Sequence, residues 1–135
     1  MLVEHARSNV GIADAVHAEY PDAVGTPVVS LLACSLADTT IELALTADSI
    51  VATAHGSTGN VIERTTCNFG LNPEHVHIAS EAGMIVSAVD DTGEVRAVER
   101  TDHPFFVGTL YQPQLTSAPG APHPVLRAFV EAVTG

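Results

Sequence analysis

Residues 93–119 read "GEVRAVERTDHPFFVGTLYQPQLTSAP", and the reading of this stretch decides the fold. Its first part completes "MIVSAVDDTGEVRAVER" (84–100), two β-branched apolar runs around Asp91-Thr92-Gly93. That pattern predicts a hairpin with its turn at those three residues. "HPFFVGTLY" (103–111) then reads as a buried strand, ending at a tight corner where Gln112 and Gln114 flank Pro113. "SAPGAPHP" follows as a Pro/Gly loop, and "PVLRAFVEAV" as a closing amphipathic helix. A hairpin, a strand and a helix in that order argue against a sheet built only from parallel βαβ units.

Upstream, "MLVEHARSNVG" places Leu2, Val3, Ala6 and Val10 on one helical face, and Gly11 suits a stop. No N-cap residue precedes this helix, which leaves two readings open: Met1 as the true start, or as an internal methionine of a longer chain. "IADAVHAEYPDAVG" (12–25) reads as a loop with at most a short helical turn. "TPVVSLLACSL" (26–36) reads as a buried strand, with Cys34 in the core. "TTIELAL" (39–45) alternates Ile41, Leu43 and Leu45, the period of a half-buried strand. "SIVATAHG" and "NVIERTT" read as two more strands separated by the turn at 56–59. "LNPEHVHIASEAG" predicts a helix capped by Asn72, with Pro73 at its first position, Glu74 at the positive end and Gly83 as the stop. The expected fold class is α/β, a mixed sheet with flanking helices, in a single domain over 1–135.

The 135 residues suit one domain, which buries roughly 70% of the surface its unfolded chain exposes. Charged residues are only 16% of the chain, so an apolar surface is left over that implies a partner or a homo-oligomer. The formal net charge is −11, and all five basic residues are Arg. A basic patch for nucleic acid is absent, and an anionic membrane surface is disfavoured for the same reason. With no Lys there is no Schiff-base lysine, no pyridoxal phosphate anchor and no phosphate-loop lysine. No glycine-rich phosphate cradle follows a strand, and no cofactor is expected. Two cysteines make no disulfide framework, no signal peptide opens the chain and no run spans a bilayer, so a cytoplasmic location is expected.

Several residues invite a functional reading. Gln112 and Gln114 each offer an amide donor and acceptor, either as a polar pocket floor or as partners for local backbone. Cys67 ends a strand before Asn68-Phe69-Gly70. It is a candidate nucleophile if a histidine reaches it, and otherwise a small buried hydrophobe. Tyr111 adjoins the corner, where its hydroxyl could act on a ligand. The four phenylalanines, Phe69, Phe105, Phe106 and Phe129, read as core. None of the seven histidines shows H-x-x-x-H or Cys/His zinc spacing, so no metal ligands are assigned. Surface or capping roles are expected for the histidines. Asp90, Asp91 and Glu94 read as a solvated hairpin tip, and Arg96 and Arg100 as partners of nearby carboxylates.

Three segments together resemble the C-terminal part of class I glutamine amidotransferase domains of the CTP synthase type. "VIERTTCNFGLNPEHV" is similar to that family's segment ending in N-P-E. "GEVRAVERTDHPFFVGTLYQPQLTSAP" is similar to its hairpin, strand and F-H-P-E corner, and "HPVLRAFVEAV" to its last helix. The opening 20 residues resemble the helix that follows the family's nucleophile elbow. "CNFGLNPE" resembles a related group that lacks the synthetase domain. The resemblance implies that the nucleophilic Cys would lie just upstream of Met1, together with the parallel strands of the first half. It also implies that Gln112 stands where the family has its catalytic His, and Gln114 where it has the orienting carboxylate. The basic residues that help hold glutamine are replaced by Thr65, Thr66, Cys67 and Asn68.

A thiol that hydrolyses an amide needs a thiolate, a base near neutral pKa and a group that orients the base. Glutamine does not titrate, so no glutamine hydrolysis is expected from this chain alone. Two functions follow. One is a catalytically retired glutamine amidotransferase-like domain that acts as a binding or assembly module. Its partner would be a second copy, or a chain supplying the missing N-terminal half. The other is a lyase, isomerase or transferase for a small polar metabolite, in a pocket of Cys67, Asn68, Phe69, Tyr111, Gln112 and Gln114.

Overall fold

The computed structural model describes residues 1–33 and 36–135. Helix α1 (Leu2–His5) runs on into a π-helical turn (Ala6–Val10) and stops at Gly11, whose φ of 88° is left-handed. Eight strands follow: β1 (Ala15–His17), β2 (Thr26–Leu31), β3 (Thr39–Leu45), β4 (Asn60–Thr65), β5 (Phe69–Leu71), β6 (Met84–Asp90), β7 (Val95–Arg100) and β8 (Val107–Thr109). Two further helices, α2 (Ile50–His55) and α3 (Pro124–Thr134), and a 3-10 helix (Pro73–Ser80) complete the frame.

The strands form two sheets rather than one. The larger has the order β4-β3-β6-β7-β8, antiparallel throughout. The smaller, β1-β2-β5, is mixed, with β1 parallel to β2 and β5 antiparallel to it. The large sheet packs α2 and α3 on one face through Leu43, Val51, Ala88, Ala97, Tyr111 and Val125. Met84, Val95 and Val98 pack with Ala79 of the 3-10 helix, while Ile78 of that helix joins Val28 and Val29 beneath α1.

The hairpin forms where the pattern puts it, with Gly93 left-handed in its turn. β3 buries Ile41, Leu43 and Leu45 and exposes the residues between them, as its alternation requires. Five readings need correction. "SIVATAH" is helix α2, not a strand. The Ser49 side chain accepts the Ala52 N–H at 3.0 Å, and the buried Glu99 carboxylate of β7 accepts the N–H groups of Ile50 and Val51. A carboxylate on the first-turn donors satisfies groups that a short helix otherwise leaves bare. β1 lies inside the stretch read as loop, held beside Thr26 and Pro27. The Asn72-capped helix is 3-10 and kinked at His75. Strand 103–111 shrinks to the half-buried β8, and the strand read over 26–36 ends as β2 at Leu31. Cys34 lies outside the described residues.

The hairpin tip is less solvated than its sequence suggests. Asp90 is buried, with Oδ1 accepting from the Thr92 N–H, the Thr92 hydroxyl and the Glu94 N–H. Its Oδ2 takes the Arg96 Nε–H at 2.7 Å, and Arg96 also reaches Glu94. Burial pushes the Asp90 carboxyl up, but the hydrogen bonds from Thr92, Arg96 and Glu94 with the Arg96 charge outweigh it, and the pKa ends below 3.8. A depressed carboxyl stabilises the fold above its ordinary pKa, and that stabilisation disappears as pH falls through the folded value. Acid titration of unfolding therefore loses part of its slope below about pH 4 in Asp90→Asn.

Candidate functional site

The corner is built by β4, β5 and the segment after β8. The Gln112 N–H donates to the Arg64 carbonyl at 3.0 Å, and the Thr65 hydroxyl donates to the Leu110 carbonyl at 3.1 Å. Gln112 Oε1 accepts the Thr66 N–H at 2.8 Å, so this amide ties the corner to the turn that carries Cys67. Gln114 is exposed, in a single 3-10 turn that starts at Pro113.

Cys67 is half-buried; its thiol donates to the Phe69 carbonyl at 3.0 Å, and its N–H to Thr65 Oγ1. Among the described residues it has no hydrogen bond to a histidine or carboxylate. Asn68 lies beside it, and its carbonyl accepts the Leu32 N–H. Phe69 packs on His17, with ring centroids 5.3 Å apart. The structure thus joins Cys67 to Phe69 by a hydrogen bond and ties Gln112 to Thr66, the residue before Cys67.

Tyr111 does not join them. Adjacent residues of an extended segment point to opposite sides, and Tyr111 turns into the core beneath α3 while Gln112 faces Thr66. Burial, and then the charge of Glu63, push its phenol pKa up, so it is no proton donor to the corner. Two phenylalanines read as core are on the surface: Phe106 is 38% and Phe129 48% exposed.

Sequence spacing did not show a second polar cluster. Glu63 of β4 is 2% exposed and faces inward with Thr65. His123, the N-cap of α3, accepts the Val125 N–H with Nδ1 at 3.2 Å. That bond leaves its proton on Nε2, which donates to Glu63 Oε1 at 2.8 Å. His123 thus caps α3 from a buried position. The Nε2 of His55, at the end of α2, stands 3.6 Å from the same oxygen. Burial lowers the His55 pKa, the Glu63 charge opposes this, and His123 adds to it; the net direction is down from 6.5. The signal that was available is β4's own alternation, which puts a glutamate in phase with the inward positions Val61 and Thr65.

No protein-family model matches the chain. The CTP synthase of Methanopyrus kandleri is 31% identical over 144 residues, covering 100% of this chain and 27% of its own length. That of Brucella melitensis biotype 1 is 33% identical over 149 residues, covering 96% of this chain and 27% of its own length. The glutaminase domain of Trypanosoma brucei CTPS, solved with bound acivicin, superposes with a TM-score of 0.86 at 26% identity. That match covers 97% of this chain and 55% of the Trypanosoma chain. The chain spans about a quarter of the length of the CTP synthases it matches.

Proposed function

We infer, from the premise that this chain belongs with the glutaminase domains of CTP synthases, that it is a glutaminase-like domain without glutaminase chemistry. It works instead as a binding and assembly module. The observation that carries this reading is the Gln112 side chain. A non-titrating amide stands at the position the family gives to its base, and its oxygen is committed to the Thr66 N–H. No proton can be taken there at any working pH. Gln114, exposed and uncharged, cannot orient or stabilise an imidazolium.

Apolar surface supports the assembly role. A groove of about 190 Å³ runs beside β8, lined by Met1, Leu2, Val95, Val98 and Leu110. On α3, Leu126, Phe129, Val130 and Val133 are all exposed. Their spacing of three, four and seven residues makes one helical stripe. Contiguous exposed stripes of this kind mark interaction sites. The partner is a second copy of this chain, or a chain that supplies the other half of a glutaminase domain. A reducing cytoplasm suits the free Cys67.

The alternative, a small-metabolite enzyme in the same cleft, loses Tyr111 from its pocket wall and finds no base hydrogen-bonded to Cys67 among the described residues. Size-exclusion chromatography with light scattering tests the assembly role. A mass at a multiple of 14.0 kDa is expected. A sharp monomer at micromolar concentration overturns self-assembly and leaves only the complementing chain.

A further inference from the structure

The His55, Glu63 and His123 cluster lies apart from the glutamine corner, on the core side of β4. One ligand-capable atom from each lies within 4.8 Å of the other two. Glu63 Oε2 and His55 Nε2 are buried with no hydrogen-bond partner among the described residues. A buried carboxylate is costly unless it is paired with charge or fully hydrogen-bonded. Here it receives one neutral imidazole N–H, because His123 spends its other nitrogen on the Val125 N–H. His55 Nε2 faces the same carboxylate with no hydrogen-bond partner among the described residues.

We propose that His55, Glu63 and His123 form a binding site for a single divalent transition metal ion of the zinc class. Two imidazoles and one carboxylate are a donor set that zinc takes readily, with water in the fourth position. A cation on Glu63 Oε1 would supply the charge that the carboxylate lacks and would engage the orphaned His55 Nε2. Ligands of a tetrahedral zinc stand roughly 3.3 Å apart, given metal–ligand distances of about 2.0–2.1 Å. The present separations from Glu63 Oε1 are 2.8 Å to His123 and 3.6 Å to His55.

His55 is the ligand with freedom to close. It ends α2 just before Gly56, and its Nε2 has no bond to break. The cost falls on His123, whose proton moves from Nε2 to Nδ1 and gives up the Val125 cap. A single helix cap is a small term beside a three-ligand zinc site. Tyr111 packs on His123 with ring centroids 6.2 Å apart, and its buried hydroxyl, which has no partner among the described residues, is available as a donor.

The test adds Zn²⁺ to the purified chain in calorimetry and Co²⁺ in visible spectroscopy. One ion per chain and a tetrahedral Co²⁺ band are expected. His55→Gln is the deciding variant, because it removes a ligand without breaking a hydrogen bond of the fold, and its metal-free thermal unfolding should match the parent. Its affinity should fall by about 100-fold or more. His75→Gln with His77→Gln, which removes a half-buried and an exposed histidine whose rings lie 6.1 Å apart, should leave affinity unchanged. Absence of binding at micromolar metal overturns the proposal. So does affinity that survives His55→Gln, or that depends on His75 and His77.

Discussion

His123→Ala should lower the unfolding free energy by about 3–5 kcal/mol in metal-free buffer. The side chain makes two buried bonds at once. Its Nε2–H gives the Glu63 side chain its one hydrogen bond among the described residues, at 2.8 Å, and its Nδ1 accepts the Val125 N–H at the start of α3. Removing it leaves a carboxylate that is 2% exposed without a donor. A buried carboxylate left without this N–H donor accounts for most of the loss, and the missing helix cap contributes about 1 kcal/mol more. A domain of this size holds only about 5–15 kcal/mol in total, so the variant should approach unfolding near 37 °C. Denaturant midpoints with unchanged m-values measure it. Replacing Glu63 and His123 together by leucine should recover part of the loss, because the buried charge goes with its partner. A loss below about 1 kcal/mol for His123→Ala would mean that Glu63 is compensated some other way.

Gly25→Ala should be nearly as damaging, for a backbone reason. Gly25 has φ 151°, and a Cβ there would sit 2.0 Å from the Asp14 carbonyl oxygen. That carbonyl cannot retreat cheaply, since it accepts the Thr26 N–H at 3.0 Å where β1 begins to pair with β2. The methyl group must therefore push β1 away from β2 and disturb Ala15, which is buried against Ala6 and Val28. A cost of about 3 kcal/mol or more is expected, at the upper end for a single methyl. Thermal unfolding checks it, and Gly120→Ala is the control. Gly120 also has positive φ, but a Cβ there meets nothing within 4 Å.

The elements legible in the sequence were those whose stability is local. β3 carries its own period of two, and the β6–β7 hairpin carries its own turn at Gly93. α2 was not legible, because Ile, Val and Thr in "SIVATAH" favour strands and the opposing term is the Glu99 carboxylate, 49 residues away in the chain from Ile50. The glutamine corner could be located from the resemblance, and its chemistry could be judged from residue types alone. The turning of Tyr111 into the core depends on where α3 packs, which spacing does not state. The Glu63 cluster joins residues 60 apart, so no motif announces it.

On the proposed function, the amide at Gln112 ends glutaminase chemistry while keeping the corner's hydrogen bonding. Ammonia release from glutamine by the purified chain, followed across neutral and mildly alkaline pH, tests it most directly. The account predicts no release above the buffer blank at any pH. Sustained release over many turnovers, with a rate that follows a titrating base, would contradict it.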